Sequence, residues 1–296
     1  MRGAAQRATK AHLEIGKPDV SGPVNGKIRV GVGGWQFEPW RGVFYPEGLP
    51  QRRELEYASR HLTAIEINAT YYGSQKPESF RRWAAEAPEG FQFPVKGSRF
   101  CTNRKSLADG RESVERFLSS GVTELGDKLG PLLWQFANSK KYDRADFTGF
   151  LDLLPETHNG LKLRHVLEPR HDSFCDPDFI ALARERGAVI CYAHHAAYPN
   201  IPDVTADFVY ARLQRGSDDI PTGYPPAELD AWAGRLKTWA EGGLPNDLDS
   251  IDPSAKPERK PRDVYALVIH EGKVRAPAAA MGLIERLGPE HAPAGG

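Results

Sequence analysis

The chain has 296 residues, with 39 lysines and arginines against 39 aspartates and glutamates. This balance excludes the bulk positive charge of a dedicated nucleic-acid-binding protein, although it does not exclude local basic loops. Hydrophobic residues make up 40% of the chain, enough for one large domain or two small ones.

The two ends of the chain differ in composition from the rest. Residues 1–27 are polar and lack the apolar region of a signal peptide, so we expect a disordered N-terminal tail. Residues 288–296 are predicted to form a C-terminal tail. The apolar runs are all shorter than the ~18 residues of a membrane span, which predicts no membrane association. Cys101, Cys175 and Cys191 are too scattered for a disulfide framework, which favours a cytoplasmic location.

Strand-like and helix-like patterns alternate between these tails. Residues 28–35 predict a strand that runs into glycines. In chain order there follow a helix at 51–61, a strand at 63–72, a helix at 77–88, a strand at 91–97 and a helix at 109–120. The second half predicts strands at 129–136, 161–169, 188–194, 207–214 and 263–270, and helices at 142–155, 176–187, 225–243 and 276–288.

Eight strands alternating with helices over residues 28–287 match the ~250-residue size of a single-domain (β/α)₈ TIM barrel. The sixth and seventh strands are joined by an irregular link without a helix, and the polar insert 244–261 is predicted to be a mobile surface loop or a linker. A doubly wound open sheet is the alternative. The glycines at 31–35 lack both the GxGxxG spacing and the P-loop lysine, so they give little support for phosphate binding there.

The second strand carries a carboxylate among apolar residues. Because side chains alternate along a strand, we expect Glu66, Asn68 and Thr70 to share the face opposite the isoleucines. An unpaired buried carboxylate costs several kcal/mol, so a partner or a ligand must compensate it. Lys96 on the next strand is the predicted partner of Glu66.

Polar side chains recur where the other predicted strands end. In a TIM barrel these carboxyl ends form the catalytic face. The polar residues at the strand ends are Glu66, Asn68, Lys96, Gln135, Glu168, Arg170, His171, His194, His195, Arg212, Gln214, His270 and Glu271. We expect Glu168 to pair with Arg212 or Arg170. A structural lattice of buried ion pairs is the alternative interpretation.

The residue types suggest roles for a site at this barrel mouth. Arg170 and Arg212 suit a carboxylate or phosphate through bidentate hydrogen bonds, with Lys96 as a further cation. His171 is the candidate proton shuttle, and Glu168 is expected to orient it or to act as the general base. Glu66 completes the predicted catalytic set, and Asn68, Gln135 and Gln214 are predicted to bind the ligand.

Aromatic and basic residues near the mouth allow further interactions. Trp35 and Tyr71 are predicted to line the pocket and stack a ring, with ordinary packing as the alternative. The loop 97–111 carries four basic residues, including Arg104 and Lys105, and can hold phosphate or form only a solvated face.

Histidines at the strand ends raise the question of a metal. His194, His195 and His270 are candidate ligands for zinc or manganese. The sequence contains no HExxH or comparable spacing, so we assign neither a metal nor another cofactor.

Several short motifs resemble one known family. They are GVGGW (31–35), IEINATYY (65–72), FRRWAAEAP (80–88), FQFPVKGSRF (91–100), LGPLLWQF (129–136), EPRHDSF (168–174) and FVYARLQRG (208–216). In order and spacing they are similar to the YecE-like family, catalogued as domain of unknown function 72. The resemblance implies a TIM-barrel-type fold over residues 28–287 and a recurrent polar role for the matching strand-end residues. It implies no reaction, since none is established for the family.

The sequence departs from the family pattern on the last three strands. Gln214 stands where the family tends to have His, and His194–His195 stands where Asp is usual. His270–Glu271 replaces an Asn pair. The resemblance therefore does not carry over a ligand specificity.

The sequence favours an enzyme that acts on a small anionic or phosphate-bearing ligand at the barrel mouth. Its chemistry is predicted to be that of a phosphoesterase-like hydrolase, or of an isomerase or lyase using acid–base steps. The alternatives are a non-catalytic module that binds nucleic acid or protein, and a barrel whose polar strand ends are only structural. The pattern predicts neither the substrate nor the oligomeric state.

Overall fold

The structure is a computed structural model that describes residues 26–294. The predicted N-terminal tail therefore lies outside the described residues, apart from its last two positions. The strands are β1 (Ile28–Gly33), β2 (Ala64–Glu66), β3 (Phe93–Lys96), β4 (Leu129–Gln135), β5 (Thr157–His158), β6 (Leu161–Lys162), β7 (His165–Glu168), β8 (Val189–Ile190), β9 (Tyr192–His194), β10 (Phe208–Arg215) and β11 (Asp263–Glu271). The helices are α1 (Glu54–His61), α2 (Ala69–Tyr72), α3 (Pro77–Glu86), α4 (Arg99–Thr102), α5 (Arg111–Leu118), α6 (Arg144–Leu151), α7 (Pro177–Glu185), α8 (Pro226–Ala240) and α9 (Ala276–Leu287).

The long strands form two parallel sheets that close into one barrel. Their orders are β2-β1-β11-β10-β9 and β3-β4-β7-β8. A parallel bridge from Ile67 to Val95 joins the sheets at one side. At the other side β8 and β9 continue each other through Cys191, whose N–H donates to the Leu167 carbonyl at 2.8 Å. The predicted TIM-barrel fold is confirmed, and the doubly wound alternative is wrong.

The alternation of side chains along the strands separates two apolar layers. Ala64, Leu133, Val166 and Leu267 pack together in a cluster contributed by several strands. Side chains on the opposite faces pack against the helices in a larger core. At Gly31 a Cβ atom would lie 1.7 Å from the Ala64 carbonyl oxygen, so the approach of β1 to β2 requires glycine.

Local sequence signals set several helix starts. The carboxylates of Asp143 and Asp176 accept backbone N–H groups in the first turns of α6 and α7, as N-caps. As predicted, the segment between β9 and β10 contains no helix. The polar insert also lacks helix and strand, but the Asp203 carboxylate accepts the N–H groups of Ile251 and Asp252 and ties this part down.

The structure differs from the prediction in the second strand. That strand ends at Glu66, and the short helix α2 follows where we expected the strand to continue. Thr70 therefore does not share the face of Glu66, and its hydroxyl instead donates to the Lys96 carbonyl at 2.6 Å. The β5–β6 hairpin and α4 were not expected from the periodicity, because both are too short to show one.

Part of the predicted C-terminal tail is ordered against the barrel. Residues Pro289–His291 form a 3₁₀ turn, and the buried His291 ring accepts the Ile28 N–H at 3.1 Å. This corrects the expectation of a tail at these positions. None of the helices in the described part of the chain combines the length and hydropathy needed to cross a bilayer.

Candidate functional site

A buried ion-pair network lies at the carboxyl ends of the strands. Arg212 on β10 donates from Nη1 to Glu168 at 2.5 Å and from Nη2 to Glu66 at 2.8 Å. The Tyr210 hydroxyl donates to the second oxygen of Glu66 at 2.7 Å. Both carboxylates are fully buried, so Arg212 supplies the compensating charge that the sequence requires at Glu66.

Glu168 has two further donors. Gln135 donates to it at 2.8 Å, and Arg170 donates from Nε and Nη2 at 3.2 and 3.0 Å. Burial acts to raise the pKa of the Glu168 carboxyl, but the charges of Arg212, Arg170 and Lys96 together hold that pKa below its usual value. These charges favour the ionised form of Glu168, which holds two arginines by hydrogen bonds.

This arrangement corrects two expectations about the charged residues. Glu66 forms its ion pair with Arg212, and not with Lys96, and it also accepts a hydrogen bond from the neutral Tyr210 hydroxyl. Both Nη groups of Arg212 bind carboxylates of the protein, so Arg212 cannot also bind a ligand through these two groups. A fork of Arg170 is likewise directed at Glu168, while its Nη1 reaches the Tyr198 hydroxyl at 3.3 Å.

Lys96 is the remaining cation of this layer. Within residues 26–294 its Nζ has no hydrogen-bond or ion-pair partner, and it lies 4.2 Å from the centroid of the Tyr71 ring. The side chain is 8% exposed. Burial, followed by the charge of Arg212, lowers the pKa of the Lys96 amine to about 8, although Glu66 and Glu168 act in the opposite direction.

A cavity of about 840 Å³ opens above the network. Its size is that of a small-molecule site. Among the described residues its wall contains five cationic side chains and no carboxylate; the cations are Arg82, Lys96, Arg170, Arg212 and Lys273. The carboxylates of Glu66 and Glu168 are fully buried outside this wall and accept hydrogen bonds from wall residues. The surface offered to a ligand is therefore electropositive.

The structure brings many of the predicted ligand-binding residues to this cavity. Its wall includes Trp35, Asn68, Gln135, Arg170, Arg212 and Gln214. The half-buried Trp35 also packs edge-on against Trp83, with ring centroids 5.1 Å apart. Gln214 is fully buried, and its amide nitrogen and oxygen have no partner in the described part of the chain. Tyr71 does not line the wall but lies beside Lys96.

His171 does not join the other candidates. It lies outside the cavity wall, and its Nδ1 faces the Ser173 hydroxyl at 2.9 Å and accepts the Ser173 N–H at 3.0 Å. The partners of Glu168 are Gln135 and the two arginines, so Glu168 does not orient His171. The ring caps a short 3₁₀ turn at Asp172–Phe174, and the proton-shuttle role of His171 stays a prediction.

The histidine candidates for metal binding separate into two groups. The ligand atoms of His195, His270 and Glu271 lie within 4.8 Å of one another. His194 instead packs on Trp232, with ring centroids 4.8 Å apart. Nδ1 of His195 accepts the Ala197 N–H at 3.0 Å, so the neutral ring carries its proton on Nε2. This tautomer is unsuited to metal ligation through Nε2.

Sequence reasoning missed several residues of the site. Tyr210 lies two positions before Arg212 on the same strand face, and the alternation that singled out Arg212 also indicates it. Arg82 comes from α3, and Lys273 from the segment after β11. Only the closure of the barrel brings these two side chains to the mouth.

A second cavity, of about 760 Å³, lies at the opposite end of the barrel, where the strands begin. Its wall mixes cations with carboxylates, and several of the cations have acidic neighbours. Arg184 lies 3.7 Å from Asp252, and Arg186 is paired with Asp152. The mouth cavity is the stronger candidate because its charge is of one sign and it lies at the catalytic face of the fold.

Comparison with known proteins matches the whole described barrel to one family. The family model described as "Protein of unknown function DUF72" covers residues 29–295. The chain is 27% identical over 114 residues to the UPF0759 protein YunF of Bacillus subtilis, covering 37% of this chain and 39% of the relative. It is 27% identical over 140 residues to the UPF0759 protein YecE of Escherichia coli K12, covering 47% and 48%. The matches thus span less than half the length of these curated relatives.

Solved structures of the same family share the fold. A DUF72 protein from Thermotoga maritima superposes with a TM-score of 0.61 and 22% identity, over 87% of this chain and 96% of that one. A DUF72 protein from Enterococcus faecalis gives a TM-score of 0.61 and 16% identity, over 88% and 98%.

Proposed function

The chain belongs to the family of proteins of unknown function DUF72, and on the basis of its mouth cavity we propose that it is an enzyme acting on a small anionic ligand. The observation that carries this proposal is the sign of the cavity wall, with five cations and no carboxylate among the described residues. Cations in a partly water-excluded cleft attract an anion and stabilise negative charge that develops in a transition state.

The buried network supports anion binding by its charge count. Arg212, Arg170 and Lys96 oppose two carboxylates, which leaves one positive charge in excess. Both carboxylates form ion pairs with the arginines and do not line the cavity. The residues that line it are therefore the cationic members of the network. Lys96 carries the excess charge, since no carboxylate within residues 26–294 pairs with it.

The proposed chemistry differs from the one expected from sequence alone. Lys96, with its lowered pKa, replaces His171 and Glu168 as the reactive group of the proposed site. Glu66 and Glu168 become positioning residues, and the arginines supply a fixed positive field. We therefore favour an isomerase or lyase over a phosphoesterase-like hydrolase, because the described residues of the wall include an amine and no carboxylate base.

A reducing, cytoplasmic setting is part of the proposal. The three cysteines are free, and two of them, Cys101 and Cys191, are buried. Burial raises the pKa of the Cys101 thiol to about 12, which keeps it unreactive.

A thermal-shift screen of small carboxylates, phosphates and sugar phosphates tests the function. We expect at least one anion class to raise the Tm of the wild-type protein and to lose this effect in Lys96→Met. Lys76→Met removes an exposed lysine outside the cavity and serves as the matched control, which should respond like the wild type. Equal shifts in all three proteins would place the anion elsewhere and contradict the proposal.

A non-catalytic binding module is the second candidate, favoured by exposed aromatics near the mouth. Tyr72 is 68% exposed and Phe100 is 62% exposed, and the Arg99 guanidinium lies 5.3 Å from the Phe100 ring centroid. Such groups can stack bases of single-stranded nucleic acid. Oligonucleotide binding measured by fluorescence anisotropy, salt-sensitive and lost on changing Arg104 and Lys105 to Ser, would support this candidate.

A further inference from the structure

We propose that the Lys96 amine forms a covalent imine with a carbonyl compound that carries an anionic group. This inference rests on the proposed function, since it takes the same cavity and names the class of ligand. It concerns the one cation of the network that forms neither a hydrogen bond nor an ion pair within the described residues.

The geometry sets the Lys96 amine apart from the arginines beside it. Its stem is nine-tenths buried at the end of β3, and its Nζ lies over the Tyr71 ring and in the cavity wall. The Lys96 carbonyl accepts the Thr70 hydroxyl, which fixes the backbone from which the side chain projects. The amine is therefore held in place by its stem and an aromatic ring, and none of the carboxylates among the described residues forms an ion pair with it.

The charges around Lys96 favour its neutral, nucleophilic form. Burial and the positive charges of Arg212 and Arg170 disfavour the ammonium, while Glu66 and Glu168 favour it but are turned toward Arg212. With a pKa of about 8, about one amine in ten is neutral at pH 7. An ordinary lysine has roughly one in three thousand. Desolvation beside other cations is a recognised way to activate a lysine for imine formation.

The bond changes balance without another reactant. The Nζ lone pair attacks the carbonyl carbon, and the carbonyl oxygen takes a proton to give a carbinolamine. The oxygen then leaves as water while the nitrogen lone pair forms the C=N bond, so one water is released for each imine. The protonated imine withdraws electrons from the adjacent carbon, and loss of a proton or a carbon group from that carbon becomes easier. The anionic group of the ligand faces the cationic wall.

Borohydride trapping tests the inference. The full-length protein is incubated with pyruvate, with dihydroxyacetone phosphate or with uncharged acetone, and the imine is reduced and mapped by peptide mass spectrometry. Pyruvate should add the mass of pyruvic acid minus one oxygen at Lys96. We expect labelling of Lys96 at least tenfold above that of Lys76 with one of the two anions, and little with acetone. The anion that labels distinguishes a carboxylate from a phosphate ligand.

One variant and two ligand analogues separate the possible failures. Lys96→Arg keeps the charge but cannot form an imine, so it should still be stabilised by the anion and show no label. Lactate and glycerol 3-phosphate lack the carbonyl and should raise Tm without labelling. Stabilisation by these anions with no label at Lys96 from either carbonyl compound overturns the imine and leaves the proposed function intact. Neither stabilisation nor label overturns both, and equal labelling of Lys76 also overturns the imine.

Discussion

Replacing Lys96 with methionine should make the protein more stable at neutral pH. The fold lowers the pKa of this amine from 10.5 to about 8, and each pKa unit corresponds to about 1.4 kcal/mol. Keeping Lys96 charged at pH 7 therefore destabilises the folded state by on the order of 3 kcal/mol. The cation–π contact with the Tyr71 ring offsets about 1 kcal/mol of this. We expect Lys96→Met to raise the free energy of unfolding by about 1 to 3 kcal/mol.

Urea unfolding of both proteins between pH 7 and pH 11 measures this difference. Between pH 8 and 10.5 the unfolded chain keeps the Lys96 proton and the folded protein has lost it, so wild-type stability rises relative to the variant. The advantage of Lys96→Met should thus be full below pH 8 and disappear above pH 10.5. The exposed control Lys76→Met should change stability by less than about 0.5 kcal/mol. A less stable Lys96→Met protein at pH 7, or an advantage independent of pH, would refute the reasoning.

Arg212→Met should lower the free energy of unfolding, measured in urea, by about 3 to 5 kcal/mol, because it leaves two buried carboxylates uncompensated. Changing Glu66 and Glu168 to glutamine in this variant should restore most of the lost stability. Arg116→Met, which breaks an exposed ion pair, should lower the free energy of unfolding by less than about 1 kcal/mol. Gln214→Leu should raise the free energy of unfolding by about 1 kcal/mol, because the buried amide has no hydrogen-bond partner among the described residues. A less stable variant would contradict this prediction. Gly234→Ala in α8 should raise the free energy of unfolding by about 0.5 to 1 kcal/mol, because the added Cβ atom has open space around it. Gly31→Ala should lower it by about 3 kcal/mol or more, because the Cβ atom would clash with the backbone. Equal Tm values for the two variants would contradict this.

The sequence predicted the barrel well because two kinds of periodicity alternate along it. The long helix α8 carries a clear apolar face, and its predicted range of 225–243 contains the observed Pro226–Ala240. Short elements could not be predicted in this way. Helix α2 has one turn, and its residues continue the apolar run of β2, so periodicity extended the strand past its true end at Glu66.

The sequence identified most residues at the mouth but not their pairing. Strand alternation was sufficient to place Glu66 and Arg212 on the interior face. Which cation meets which carboxylate depends on the barrel radius and on side-chain reach across it, and this information is absent from any single strand. The pairing leaves Lys96 without an ion-pair partner among the described residues. Nδ1 of His171 accepts the N–H of Ser173, a local bond that spacing alone does not reveal.

Direct titration of the Lys96 amine by NMR tests the central claim, that an uncompensated amine faces an anion-binding cavity. Reductive ¹³C-methylation labels the lysines, and the spectrum of Lys96→Met assigns the resonance. We predict that Lys96 titrates near pH 8 without ligand. Its midpoint should move upward when a stabilising carboxylate or phosphate is added, because a nearby anion favours the charged amine. A Lys96 resonance that titrates with the exposed lysines and does not respond to any anion would contradict the account.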